Sequence, residues 1–252
     1  MHVVLIGAGN VASHLAKMLR SRGIVIDAIW SRGKLSAKKV AGEVACSVFL
    51  DDISSIPTNS DFYIISVADS AIHDISVSMP EVKGIVLHTS GATPITALKQ
   101  EKRGVLYPCQ SFTKNVNFDY ETINWLVEGA TKKDVESVER LAWLLPHNTI
   151  TRATSSQRLS LHLAAVWSSN FVNRMVAEAY EIMESADLDQ HMLEELIRQT
   201  IEKCLYESPY EAQTGPARRH DEVTLERHVS LMSDEEQKEL YRMISKRISG
   251  KY

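Results

Sequence analysis

Cysteine is scarce. The 252-residue chain holds three: Cys46, Cys109 and Cys204, which lie far apart. Their odd number and wide spacing argue against a disulfide framework and against a CxxC metal site, so no metal is expected. No apolar run approaches the length of a membrane span. The first such run, Val3 to Ile6, is too short for a secretory signal and leads straight into glycines. A dense basic tract is also missing and the net charge is −4, which speaks against general nucleic-acid binding. These absences lead to the expectation of a cytoplasmic protein in a reducing setting, with no membrane or nucleic-acid partner. What remains is ordinary globular composition, 44% hydrophobic and 24% charged. The length suffices for one large or two smaller domains.

The opening segment MHVVLIGAGNVASHLAKMLRSRG is the most informative. Val3 to Ile6 is continuously apolar, as expected of a strand buried on both faces of a parallel sheet. Gly7-Ala8-Gly9-Asn10-Val11-Ala12 follows at once. A helical pattern then places Val11, Leu15, Met18 and Leu19 on one face and stops near Gly23. The next apolar run, Ile24 to Trp30, completes a βαβ unit. The glycine spacing is GxGxxA. Gly7 allows the tight turn out of the strand, Gly9 lets a pyrophosphate approach the backbone, and Ala12 lets the helix pack close to the strand. Amide groups at the helix start, Gly7 to Val11, would face the phosphates. A tight βα turn in any α/β protein could share this spacing, but the strand-before, helix-after context favours a dinucleotide site.

The end of the second strand selects the dinucleotide. NAD enzymes usually carry Asp or Glu there for the ribose 2′-hydroxyl. Here the run ends in Ser31-Arg32, and Asp27 falls three residues too early. A hydroxyl with a guanidinium suits a 2′-phosphate, so NADP(H) is favoured over NAD(H). The bland alternative is that Arg32 and Lys34 are solvated charges at the next helix start.

Strand and helix patterns alternate onward. Helices are predicted over 37–45, 71–79, 95–101 and 132–145, and strands over 61–67, 84–88, 104–107, 123–127 and 148–151. This order predicts a doubly wound parallel sheet, the Rossmann arrangement, over residues 1–153. Ligands of such sheets bind beyond the carboxyl ends of the strands. Ser66, Val67 and Ala68 are therefore expected beside the cofactor's ribose and pyrophosphate. His88, Thr89, Ser90 and Gly91 are expected nearer the nicotinamide, although a polar quartet of this kind is also what a plain loop would carry.

From residue 154 to 252 the strand pattern vanishes and an all-α domain is predicted. Ser155 or Ser156 would cap a helix running to about Ser185, apolar nearly all round between Leu159 and Trp167. Further helices are predicted over 189–207, from near Asp221, and from Ser233, where Ser233 and Glu236 match a capping box. Gly250 ends the last. A homodimer packed through the helical domain would bury the long helix, as would a larger interface within the monomer. His162, Ser169, Asn170 and Asn173 form a polar stripe, which is either a buried hydrogen-bond network or a substrate-facing edge with His162 exchanging a proton. In Gln213-Thr-Gly-Pro-Ala-Arg-Arg-His-Asp221, two arginines precede an acidic cap; they could clamp an anion or simply be solvated.

Several stretches together, GAGNVASHLA, DFYIISVADSAI, VLHTSGATPI, YPCQSF, LHLAAVWSSNFVN and TGPARRHDEVTLERH, resemble a family of Rossmann-like NADP oxidoreductases with an uncharacterised C-terminal helical domain. That family is similar to pyrroline-5-carboxylate reductase and to deazaflavin-dependent NADP reductases. The resemblance spans residues 1 to about 228, and TGPxxRxD followed by TxxxH is its most specific part. It implies a helical domain like the C-terminal domain of 6-phosphogluconate dehydrogenase, NADP as cofactor and a substrate cleft between the domains. It carries His162 and Asn170 over as the polar pair of the long helix, and Arg219 and Asp221 as the second motif. This chain departs from the family at His220, where members usually have Gly, and at Cys109, where Leu or Met is usual. Related β-hydroxyacid dehydrogenases also place Lys where Val166 stands, so acid–base work must come from another group, such as His162, His88 or Tyr107.

The expected function is an NADP(H)-dependent oxidoreductase acting on a small carbonyl, imine or hydroxy compound. His162 would exchange the proton, Asn170 and Ser90 would orient the substrate, and Arg219 would bind a carboxylate or phosphate. The alternative is a dinucleotide-binding redox sensor or partner-binding dimer without turnover, motivated by Val166 and His220.

Overall fold

A computed structural model describes residues 1–113 and 118–251. The chain divides into two compact units, Met1–Trp167 and Ser168–Tyr252.

The first unit is built on an eight-stranded sheet in the order β3-β2-β1-β4-β5-β6-β7-β8. Its strands are β1 (His2–Ile6), β2 (Val25–Trp30), β3 (Phe49–Leu50), β4 (Phe62–Ile65), β5 (Ile85–His88), β6 (Arg103–Cys109), β7 (Asn124–Gly129) and β8 (Thr149–Arg152). Helices α1 (Asn10–Ser21), α2 (Lys34–Glu43), α3 (Ile72–Ser78) and α4 (Lys132–Leu144) connect strands, and α5 (Ser155–Ala165) follows β8. Strand alternation splits the core into two layers. Val3 and Leu5 pack with Leu15, Leu19, Val40 and Leu141 from α1, α2 and α4. Val4 and Ile6 pack on the other face with Ile72 and Ile75 of α3. Both faces of the central strands are covered, which is why these segments read as unbroken apolar runs.

Two expectations about this unit need correction. The sheet is not wholly parallel, because β7 runs antiparallel to β6. Among the described residues between them only one short turn, Tyr120–Thr122, is helical. Without a crossover helix the chain returns beside β6 in the opposite direction. The predicted helix after Pro94 is a single 3₁₀ turn, Ile95–Ala97.

The unit boundary falls after Trp167 rather than at residue 153. Helix α5 belongs to the first unit because its buried Arg158 is bonded to Ser90 and Thr93 of the β5 loop and to Glu128 of β7. Neither Ser155 nor Ser156 caps this helix. Thr154 does, in a reciprocal capping box with Gln157.

The run from 155 to 185 is helical throughout, with a π-turn at Val166–Asn170 before α6 (Phe171–Ser185). The second unit continues with α7 (Glu194–Tyr206), α8 (Pro209–Ala212), α9 (Glu222–Leu231) and α10 (Glu235–Ser249). Asp221 caps α9 through the Thr224 amide. The expected Ser233–Glu236 box is absent: α10 begins one residue later, and Asp234 accepts from the Glu236 amide at 2.9 Å. His220 adopts the left-handed conformation, φ 54° and ψ 37°, the geometry that favours glycine at this position.

Candidate active site

The strand order reverses beside β1, because β2 lies on one side of it and β4 on the other. The carboxyl ends of β1 and β4 thus border a crevice. Gly7 makes the turn out of β1 with φ +131°, and a Cβ there would sit 2.0 Å from the Ser66 carbonyl oxygen. No other residue fits. Gly9 is the N-cap of α1 and no side chain caps that helix. A Cβ built on Gly9 meets nothing within 4 Å. The protein therefore leaves open the space over a helix start whose dipole favours an anion.

A cleft of about 590 Å³ lies along this edge. Gly7, Ala8, Gly9, Asn10, Val11, Ser31, Arg32, Ser66, Val67 and Ala68 all line it. Ser36, which the sequence reading did not include, joins Ser31 and Arg32 at that end. Arg32 is exposed and has no carboxylate partner among the described residues, whereas Lys34 is paired with Asp51 at 3.9 Å. Asp27 accepts from Ser60 at 2.5 Å and contacts His2 at 2.8 Å. It sits in the middle of β2, short of the strand's carboxyl end, and is not among the cleft-lining residues.

The other end is formed by Thr89, Ser90, Gly91, Tyr107, Gln110 and His162. His162, on α5, lies directly on Gly91: a Cβ there would be 2.6 Å from His162 Nδ1. That nitrogen is 3.3 Å from the Tyr107 hydroxyl. Burial, with Cys109 adding to it, pushes the Tyr107 phenol up to about 12. It keeps its proton throughout the physiological range.

A scan of protein families matches residues 123–248 to one described as a domain of unknown function, DUF2520. A crystal structure from Bacteroides fragilis, provisionally named an NADP oxidoreductase, is 33% identical with a TM-score of 0.90, covering 99% of this chain and 98% of that one. The chain belongs to the DUF2520 family. A Thermotoga maritima protein shares the fold at 18% identity and TM-score 0.81, covering 99% of this chain and 98% of its own. So does a reductive aminase from Aspergillus terreus, solved with NADPH and ethyl-5-oxohexanoate, at 13% identity and TM-score 0.74, covering 99% and 97%. No curated protein matches. Among the described residues of this DUF2520 protein, no helix is long and apolar enough to cross a membrane.

Of the catalytic candidates, His88 is placed differently from expectation in this DUF2520 chain. His88 is fully buried and lies outside the cleft lining. Its Nδ1 accepts from the Ser90 amide at 3.2 Å, and burial, helped by the Arg158 charge, lowers its pKa to about 3. It is neutral at working pH and cannot exchange protons with a ligand. Ser90 does line the cleft, but its hydroxyl is committed. It donates to Thr93 Oγ1 at 3.0 Å and accepts from the Ala92 and Thr93 amides at 3.1 and 2.9 Å. These bonds hold the turn of the Ser90–Thr93 loop. Asn170, in the π-turn, and Arg219, exposed beside His220, belong to the second unit.

Sequence reasoning missed Arg158 and Glu128 altogether. Arg158 stands four residues before His162, at the head of the largely apolar stretch from Leu159 to Trp167. A charge on the buried face of such a helix was the available signal.

Proposed function

We propose that this protein is an NADP(H)-dependent oxidoreductase acting on a small carbonyl, imine or hydroxy compound. One observation carries the reading. A single cleft joins an open glycine turn, an Arg32 with no carboxylate partner among the described residues, and a histidine–tyrosine pair. The 33% identity over nearly the whole chain to the Bacteroides fragilis protein supports the same chemistry.

The residues present fit the cofactor. The open space at Gly9 would take the diphosphate on the start of α1. Ser31, Ser36 and Arg32 would hold the 2′-phosphate, and Ser66 to Ala68 would border the ribose. The nicotinamide supplies or accepts the hydride. His162 would hydrogen-bond the reacting atom through one ring nitrogen while Tyr107 holds the other, and the proton that balances the hydride would exchange with solvent at that contact. This reading makes no use of Asn170 or Arg219.

Fluorescence titration with NADPH and NADH, on wild type and Arg32→Ala, tests the cofactor assignment. Wild type should prefer NADPH, and the variant should lose about ten- to a hundredfold in NADPH affinity while NADH binding stays put. Equal affinities that ignore the substitution would remove the 2′-phosphate argument. A carbonyl and imine panel followed by NADPH absorbance tests turnover. Tight binding with no compound-dependent oxidation would leave the non-catalytic sensor. For a turned-over compound, His162→Ala should lower kcat about a hundredfold or more.

The second unit is proposed to form a homodimer, since few of its apolar side chains are buried. With three free thiols, a reducing cytoplasmic setting is the compartment this reading adopts.

A further inference from the structure

Arg158 is 1% exposed, so every donor on its guanidinium needs a partner. Its Nε donates to the Ser90 carbonyl at 3.1 Å and its Nη2 to the Thr93 carbonyl at 2.5 Å. Nη1 donates to the carboxylate of Glu128 on β7. Oε1 of that carboxylate accepts from both the amide and the hydroxyl of Ser155, each at 3.0 Å, and the Ser155 hydroxyl accepts from the Ile95 amide at 3.1 Å. One buried ion pair thus ties the 90–95 loop, β7 and the first turn of α5 together. His162 follows Arg158 by four residues, on the same helix face. It rests on Gly91, in the middle of the loop that Arg158 grips.

We propose that the Arg158–Glu128 pair is the positioning element of this site: it sets the Ser90–Thr93 loop beneath His162, brings Nδ1 onto the Tyr107 hydroxyl, and so fixes the neutral imidazole as the tautomer with its proton on Nε2. The neutral phenol has one proton and two side-chain neighbours, His162 Nδ1 and Cys109; an imidazole nitrogen is the much stronger acceptor of the two, so the phenol proton is directed to it. His162 then presents an N–H donor to whatever occupies the cleft. Arg158 touches no ligand and acts only through the loop. The charged and titratable groups around this ring in the first unit are Arg158 with its Glu128 counter-charge, Tyr107 with Cys109 beside it, Asp69 in the same cleft, and His88 beneath the loop. The catalytic meaning of the tautomer rests on the reductase reading, but the tautomer itself does not.

The test is long-range ¹H–¹⁵N correlation spectroscopy of the ¹⁵N-labelled full chain near neutral pH. The His162 signals are identified by their loss in His162→Gln. Wild type should show a single Nε2–H tautomer. The double variant Arg158→Met with Glu128→Gln removes both charges at similar volume. It should lose that pattern and show averaged nitrogen shifts, while NADPH affinity, set at the other end of the cleft, is unchanged. Tyr107→Phe, with the ion pair intact, should lose the pattern too. An Nδ1–H or doubly protonated ring in wild type would overturn the proposal, as would a wild-type pattern in either variant. Should the double variant not fold, Glu128→Gln alone, which removes the counter-charge and keeps an acceptor for Ser155, decides in its place: averaged nitrogen shifts support the positioning role and a wild-type pattern overturns it. Failure of NADPH to bind wild type would remove the reductase reading and leave these spectra standing.

Discussion

Gly91 shows how much a missing side chain can do at one residue. Its neighbour in space is an imidazole from a helix more than sixty residues onward, and any Cβ would occupy the volume of that ring. Gly91→Ala is expected to push His162 off the Tyr107 hydroxyl, and loss of the single-tautomer pattern is the measurement. Gly7 and Gly9 were legible from sequence because a turn and an open helix start are local properties, written within a few residues. Gly91 was not, since its reason lies on α5. His88 misled for a related cause. Strand alternation puts it on the same face as the buried Val86, but a histidine at a strand end looks the same in sequence whether it points into the sheet or the cleft. Its burial has a measurable consequence. The folded-state pKa of about 3 lies below the ordinary 6.5, so the unfolded chain binds the proton more readily. The contribution to stability is complete above pH 6.5 and is lost as the pH falls from there toward 3, amounting to about 2 kcal/mol at pH 5. Urea unfolding at pH 7 and pH 5 should show this loss, and His88→Asn should reduce the difference between the two.

At the scale of elements, the start of α5 separates two adjacent residues by role. Thr154 caps the helix through the Gln157 amide, whereas Ser155, one residue on, bridges Glu128 to the Ile95 amide. A serine or threonine before a helical run announces a cap, and the sequence reading assigned it to Ser155 or Ser156. It could not see that the Ser155 hydroxyl was already engaged by a carboxylate from another strand. Thr154→Ala should cost about 1 kcal/mol in chemical denaturation, the ordinary value of a lost cap. It should leave the His162 tautomer alone, because the helix stays anchored by Arg158. The antiparallel β7 teaches the same lesson. The apolar run around Trp125 to Val127 was readable as a strand, but its direction depends on the connection before it, and direction leaves no mark on the run itself. By contrast β1, β4 and β5 of the cofactor half were recognisable because each is a short run buried on both faces with a cleft-lining turn immediately after it, whereas the two-residue edge strand β3, only half-buried, leaves no such run in the sequence.

At the scale of the whole molecule, the two units differ in how far they account for their own apolar residues. The central strands of the first are sealed on both faces. In the second, the buried apolar side chains among the described residues are Ala217, Leu225 and Val229, and α6, α7 and α10 contribute none. Leu196, Ile201, Leu205 and Met243 are instead 61%, 42%, 75% and 68% exposed. Helices with such faces gain little from packing unless something else covers them, and exposed apolar area of this extent marks an association surface. A second copy is the simplest cover, since a two-fold interface is self-complementary and seals equivalent faces in one step. The length and apolar character of the 155–185 run hinted at this from sequence, but which helices stay uncovered could be seen only once they were packed. Sedimentation equilibrium should therefore return twice the chain mass of 28.3 kDa. Ile201 and Leu205 stand at i and i+4 on α7 and share a face. Replacing both with Glu should yield a monomer, because burying two carboxylates in an apolar interface costs more than the association can supply. The same substitution should not change NADPH affinity, because every residue assigned to the dinucleotide lies in the first unit. A monomeric wild type would show that these helices stay solvated, and the dimer would have to be given up while the dinucleotide cleft kept its own support.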